Sequence, residues 1–579
     1  MLRELVEYAT QVAQDGTPNT TPPGYRVFTE PIKWFLEVNK DGIGRIMEGA
    51  GTPARPSLKR TSGIAPLLLV DESAYVLGVG EQSERTKQSF ESFWSLMKEA
   101  QAATSSTELA QILRVLDHWP PSDLERVRPK ETVGVKATGQ PIPLQDVTIQ
   151  SFWLAHSSRE ALSDVQGQCG ICGQTRPLLR FLPFGVKGFK EDVQIISFNL
   201  DAFKSFGKDQ GLNAPTCFDC GSKAASALSY LLRENSPNKV ILSKGEGLDK
   251  LTAVFWSKAQ MAEAEGIGQF DILSALKAPM GKFQGRSAEE PQDLGRVRLL
   301  LKIPWKAKTA ALLVRPDAFY MLILSNNVSR LVVREWIHES LEDAKHNLGR
   351  FLDASLMVGP YGETPWPETV RSMLDALESD NPDLARILLE TAYSGRAIPA
   401  TMRVLAAVRL RNPKLWKEPK EHWKIHALLS FIRMQRIMGE RASPAHDPSP
   451  ELDPRKADSP YLCGRLLAVL ERAQGIASSW SVGASVVDRT FGAAASAPKI
   501  TFPPLIKVAV KAHLPSAGQS TRAAMDEVMA SLDSAGGFPT TLNLDQQADF
   551  ALGFYHQRAA FRAASKGRSE TNNDQEEKK

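Results

Sequence analysis

The chain has 579 residues, 42% of them apolar, with 70 Lys and Arg against 66 Asp and Glu for a net charge of +4. That length sets a soft expectation of three to four domains of about 150 residues each, and the apolar fraction is ample for buried cores. No apolar run approaches the roughly 20 residues that span a bilayer, which argues against a membrane helix, and so small a net charge decides nothing about nucleic acid.

The opening MLRELVEYATQVAQ is a charged amphipathic helix with no signal-peptide core, so the protein is expected in the cytoplasm. Ile32 to Val38 and Ile43 to Glu48 flank Asn39-Lys40-Asp41-Gly42, a hairpin signal. Leu67 to Val70 and Ala74 to Val79 suggest a second hairpin around Asp71-Glu72-Ser73. Ser83 to Ala100 and Glu108 to Asp117 read as helices. A strand over 178–184 and a helix over 217–233 follow. Residues 298–303, 319–325 and 330–336 are β-rich, the last two expected to pair. Strands and helices do not alternate regularly, so the class is α+β: a mixed, antiparallel N-terminal domain over 1–337.

Beyond residue 338 the chain reads as helix over 339–357, 367–379, 382–394, 399–411 and 421–439, a basic helical connecting region spanning 338–441. A Pro-, Asp- and Ser-rich stretch marks a linker over 442–459. Four or five further helices form a bundle over 460–565, and the polar 566–579 is expected to be disordered. Two segments of that bundle, YLCGRLLAVLERAQ and FALGFYHQR, carry apolar residues at three- and four-residue steps. On that period Arg465, Arg472, Arg558 and Arg562 project from the faces opposite the apolar stripe.

Cys169-Gly-Ile-Cys172-Gly and Cys217-Phe-Asp-Cys220-Gly are the strongest chemical signal. Two thiolates separated by two residues can bite one ion, and the following Gly allows the tight turn of a knuckle. Four thiolates close a tetrahedral shell, so a structural zinc is expected, stapling the N-terminal domain. A cytoplasmic chain does not keep such pairs as disulfides. Cys463, the fifth cysteine, falls on an apolar helix face and reads as core.

From Arg396 to Arg441 eleven Lys or Arg face only three acids, a local balance of +8, with Trp416 and Trp423 interleaved. Such a stripe could neutralise phosphates, or could simply be a solvated face. His422 and His426 stand at helical spacing, but HWKIH lacks the metalloprotease Glu, so they read as ordinary histidines. No phosphate loop, nucleophile elbow or acidic run for two-metal chemistry is present, which favours a binding protein.

The two bundle segments, with VDRTFGAAASAPKITFPPLIKVA between them, resemble the C-terminus of the large subunit of type I-C CRISPR Cascade, the Cas-eight-c or Csd family. LLVDESAYVLG, SERTKQSFESF, SFNLDAFKSFGKDQGLNAP and FYMLILSNNVSRLVVREW are similar to further blocks of that family, so the likeness touches nearly the full length. Phe206 and Phe554 stand where the family usually carries Tyr. The Cys pairs are not expected in every relative.

The resemblance implies a non-catalytic subunit that reads the protospacer-adjacent motif (PAM), starts unwinding of double-stranded target DNA, stabilises the R-loop and supports recruitment of a helicase-nuclease. Implied partners are crRNA, the backbone and crRNA-processing subunits, and small subunits made by internal translation of the same gene, for which Met434 and Met438 are candidate starts. Implied duplex contacts are Asn199, Gln210 and Asn213 at base edges and Lys33, Lys59, Arg60, Arg85 and Lys87 on phosphates. Arg465, Arg472, Lys507, Lys511, Arg558 and Arg562 are candidates for the displaced strand. The competing reading is a zinc-containing nucleic-acid-processing enzyme, which predicts metal-dependent turnover by the chain alone.

Overall fold

The computed structural model describes the chain apart from residues 15–21, 23, 27, 29, 59–62, 82, 183–184, 187, 190–192, 199, 243–250, 258–279, 281–317, 328–329, 380, 441–447, 482 and 577–579. The described residues form two compact units. One is Met1–Ser236 with Ser325–Val332, and the other is Pro237–Leu324 with Val333–Lys579. The class is α+β, as expected.

In the first unit, α1 (Leu2–Gln14) precedes β1 (Tyr25–Arg26). The Asn39-Lys40-Asp41-Gly42 signal makes its hairpin from β2 (Trp34–Val38) and β3 (Gly44–Glu48). Asn39 Oδ1 accepts from the N–H groups of Asp41 and Ile43 at 3.0 and 2.9 Å, and Gly42 supplies a φ of +83° that other residues resist. β4 (Arg55–Pro56) pairs back onto β1.

The second expected hairpin does not form. Val70–Glu72 is a short strand, β5, and the chain turns at once into a helical turn, α2 (Ser73–Val76). The partner of β5 is a distant strand, β6 (Thr132–Ala137), reached after α3 (Glu84–Thr104) and α4 (Thr107–Leu113). Asp71 accepts the N–H groups of Leu67 and Glu72, so its carboxylate shapes the bend locally. The sheet order is β3-β2-β6-β5, and β2 runs parallel to β6, so this sheet is not wholly antiparallel. Next come α5 (Val147–Ala161), the antiparallel pair β7 (Leu162–Gln168) and β8 (Thr175–Leu179), and α6 (Phe218–Leu232).

The second unit is built on a sheet of order β12-β11-β10-β9, from β9 (Lys239–Ile241), β10 (Thr252–Ser257), β11 (Ala318–Asn327) and β12 (Arg330–Ser340). β11 and β12 are neighbours, as expected, whereas the β-rich 298–303 lies outside the described residues. Six helices follow: α7 (Leu341–Ala354), α8 (Val370–Leu377), α9 (Pro382–Ser394), α10 (Met402–Leu410), α11 (Pro413–Lys417) and α12 (His422–Met438). The last five are α13 (Ser459–Ala477), α14 (Val486–Ser496), α15 (Pro498–Val508), α16 (Gly518–Ser534) and α17 (Leu544–Glu576).

The second unit takes in the segments on both sides of residues 441 and 459. A single apolar cluster runs from Val240 in β9 to Ala559 in α17. Trp416, interleaved with the cations of the basic stripe, is 2% exposed and packs on Phe491 and Phe554. At the centre of the last five helices α13 and α17 meet backbone to backbone. A Cβ on Gly464 would lie 1.9 Å from the Phe550 carbonyl oxygen, and one on Gly553 would lie 2.1 Å from that of Tyr461. The glycines inside the two motif segments are therefore reciprocal contact points.

Candidate metal centre and nucleic-acid surfaces

β7 ends at Gln168 and β8 begins at Thr175, so Cys169 and Cys172 occupy the turn between two paired strands. Gly173 closes that turn at a φ of +75°, donating its N–H to Cys169 O at 2.8 Å. Cys217 precedes α6 and Cys220 sits in its first turn. Gly170 N–H donates to Pro215 O at 2.8 Å, which ties the two knuckles together.

The four sulfurs lie within 4.8 Å of one another, and Cys172 Sγ is 3.9 Å from Cys217 Sγ. Tetrahedral Zn–S bonds of about 2.3 Å place sulfurs about 3.8 Å apart, so the cluster fits a four-coordinate ion with little adjustment. Cys169 Sγ also accepts N–H bonds from Ile171 at 3.4 Å and Cys217 at 3.3 Å, the kind of outer support that orients a ligating thiolate. Burial raises the Cys169 thiol, but backbone N–H groups of Cys172, Cys217 and Ile171 outweigh it and bring it down to about 7. Burial pushes Cys217 and Cys220 up. Cys169, Cys217 and Cys220 are buried and Cys172 exposed, with Leu2 and Val6 of α1 packed on the cluster. Arg3 Nε donates to Ile171 O at 3.3 Å, so the N-terminal helix buttresses the same knuckle. Among the described residues this is the one cluster of His, Cys, Asp or Glu with metal-holding spacing.

The expected duplex contacts scatter. Asn199, Lys59 and Arg60 lie outside the described residues. Asn213 spends its amide inside its own loop: Oδ1 accepts from Ser205 N–H at 3.1 Å, and Nδ2 donates to the carbonyls of Lys208 and Gln210 at 2.9 and 3.1 Å. Gln210 is exposed at a φ of +48°, its Oε1 accepting from Arg180 Nε at 3.4 Å. Lys33 pairs with Glu131 at 2.5 Å, a partner the sequence reading missed because it lies across the sheet. Arg85 and Lys87 are exposed on the first turn of α3.

The arginines expected on outer faces of the bundle point inward. Arg465 is 1% exposed, with Nε donating to Gln557 at 2.9 Å and a terminal nitrogen to Glu527 at 2.7 Å. Arg472 donates to Thr521 and to Phe561 O. Arg558 pairs with Glu471 at 3.0 Å, and Arg562 donates to Pro360 O at 2.9 Å above the Tyr361 ring. α13 and α17 are packed on several sides, so stripe counting cannot tell a buried guanidinium from an exposed one. Lys507 and Lys511, by contrast, are exposed.

The basic stripe is similarly depleted. Arg403 pairs with Asp545 at 2.5 Å, Arg409 with Glu378 at 2.7 Å and Arg436 with Asp549 at 2.5 Å. Arg433 donates to the carbonyls of Pro448, Asp353 and Ala354. Arg411, Lys414 and Lys417 remain exposed. His426 is a structural histidine, stacked on Trp366 with its nitrogens on Glu368 at 2.7 Å and Met357 O at 2.9 Å. His422 is buried beside Tyr361, and burial with Arg562 and Arg558 nearby lowers its pKa to about 4.

Among the described residues no helix is long and apolar enough to cross a membrane. No curated protein gives a significant match. A family model described as CRISPR-associated protein Csd1 matches residues 5–562, which takes in both compact units. The chain therefore belongs to the CRISPR-associated Csd1 family and is a Csd1-type large Cascade subunit.

Proposed function

We propose that the chain is a non-catalytic, cytoplasmic subunit of an RNA-guided surveillance complex that reads the PAM, opens the target duplex and holds the R-loop while a helicase-nuclease is recruited. The observation that carries this reading is the family match across both units. Guide RNA reads sequence by pairing in such complexes, leaving the protein to read a short duplex motif and to hold strands apart. Lys33, Arg85, Lys87 and Gln210 are the described duplex candidates with exposed side chains, and Lys507 and Lys511 are those for the displaced strand.

The four cysteines hold a structural zinc. Zinc would supply a fixed crosslink between the β7–β8 turn and α6, with all four positions taken by sulfur and none left for a reacting water. Cys169, Cys172, Cys217 and Cys220 would hold that crosslink, and the α1 side chains Leu2 and Val6 pack against its buried side.

The partners are crRNA, the backbone and crRNA-processing subunits, and a small subunit translated from within this gene near Met434 or Met438. Affinity purification from the native host, followed by RNA sequencing and native mass spectrometry, tests the assembly. Recovery of repeat-derived guide RNA, multiple backbone copies and a free C-terminal fragment is the expected result. Recovery of the chain without RNA, or metal-dependent cleavage of polynucleotide by the isolated chain, overturns the reading.

A further inference from the structure

In the first unit, the segment that links β8 to α6 lines a cavity of about 400 Å3, within the size range of small-ligand sites. Its charged lining is balanced: Arg180 and Lys204 against Asp201 and Asp209. Lys204 bridges both acids, at 2.9 Å to Asp201 and 3.0 Å to Asp209, and Arg180 bonds Gln210. With both carboxylates paired to Lys204, the wall has no surplus positive charge to draw in a phosphate. An uncharged heterocycle that both donates and accepts hydrogen bonds suits them, with Phe198 and Phe203 offering apolar wall to its faces.

From this wall, between Lys204 and Asp209, springs a tight turn closed by Lys208 N–H donating to Ser205 O at 2.9 Å. Its tip is Phe206-Gly207, at φ +51° and +69°. The left-handed region favours Gly at such a tip and penalises a bulky side chain. Phe206 is nevertheless there and is 98% exposed, so no packing within the fold offsets either the backbone strain or the apolar exposure. The turn is held from below by the Asn213 amide, so the ring is presented on a braced support.

We infer that this loop binds one unstacked nucleotide of the nucleic acid: the cavity takes its base, and Phe206 stacks on the neighbouring base. Aromatic stacking suits unpaired bases of any sequence, because each presents a π-face. An extruded base is read by hydrogen bonds to its edge inside a pocket. The inference rests on the reading that the chain handles nucleic acid and adds where and how an unpaired base is received.

The test uses full-length protein with single-stranded DNA and RNA oligonucleotides carrying one 2-aminopurine, alongside abasic strands of equal length. Phe206→Ala is the decisive variant, because a side chain so exposed contributes nothing to folding. The inference expects 2-aminopurine emission to change on binding and Phe206→Ala to weaken binding by roughly 5- to 150-fold, the range for loss of one stacked base. It also expects abasic strands to bind wild type and variant alike. The DNA and RNA arms decide which strand supplies the nucleotide. Salt-sensitive binding that is indifferent to bases and to Phe206 overturns this inference alone. Absence of binding to either polymer overturns the functional reading together with it.

Discussion

Replacing Gly464 by alanine puts a methyl group 1.9 Å from the carbonyl oxygen of Phe550 and 2.8 Å from the backbone nitrogen of Phe554. Both neighbours are main chain of α17, which cannot rotate aside as a side chain would. Regaining even 3.0 Å requires α13 and α17 to part locally by about 1 Å. That opening loosens Tyr461, Phe550 and Phe554, all essentially buried at the crossing. Overpacking in cores costs about 1–3 kcal/mol, and backbone contact places this case at the upper end. A loss of about 3 kcal/mol lowers the melting temperature by roughly 6 °C in a domain of a few hundred residues. The control is Gly492→Ala in α14, where a Cβ meets nothing within 4 Å and alanine should be neutral or mildly stabilising. Differential scanning calorimetry of wild type, Gly464→Ala, Gly553→Ala, the double variant and the control measures the effect. The double variant should cost less than the two singles together, since either methyl already parts the same crossing. A Gly464→Ala protein that melts with the Gly492→Ala control would refute the backbone-contact argument.

Removing the exposed ligand by Cys172→Ser should reduce zinc from one ion per chain to near zero by elemental analysis, with a lower melting temperature. Metal-free wild type that melts unchanged would contradict a structural role. Arg465→Ala should cost roughly 2–3 kcal/mol in denaturant unfolding, largely because buried Gln557 loses its partner. Its effect on the salt dependence of DNA binding should be nil. Lys507→Glu with Lys511→Glu should do the opposite, leaving stability intact and lowering the salt slope on single-stranded DNA by about 1.4 for two lost phosphate contacts. His422 titrates at about 4 in the folded chain against an ordinary value near 6.5, so the unfolded state binds its proton first. Its contribution is therefore fully present above pH 6.5 and is lost on acidification towards pH 4, by about 1.4 kcal/mol per pH unit. His422→Asn should flatten the pH–stability curve in that window relative to wild type, and parallel curves would rule the assignment out.

A local signal carried into the structure where its own residues build the turn or knuckle, and failed where the partner lies far along the chain. The β2–β3 hairpin was legible because Asn39 and Gly42 build its turn from within four residues. The cysteine cluster was legible because each CxxCG knuckle is itself a local object, and only the joining of two knuckles is tertiary. The failed hairpin at Asp71 shows the limit. Val70–Glu72 is a strand, but its partner β6 lies across two helices, and its own Val133, Val135 and Ala137 alternation was not recognised. The inward arginines fail for a related reason. Periodicity identifies one apolar stripe per helix, while α13 is enclosed by α14, α16 and α17, whose Glu527 and Gln557 receive the Arg465 guanidinium. Phe206 was visible only as a departure from the family's Tyr. Its exposure and strained backbone needed coordinates.

The claim on which the account turns is that this chain opens duplex DNA and leaves cutting to another protein. Permanganate footprinting of a target plasmid bound by the purified guide-loaded complex, reconstituted with and without this chain, measures that directly. The account predicts reactive, unpaired thymines beside the PAM only when this chain is included, with the plasmid left uncut in the absence of the helicase-nuclease. Equal opening without the chain, or strand scission by the complex alone, would contradict it.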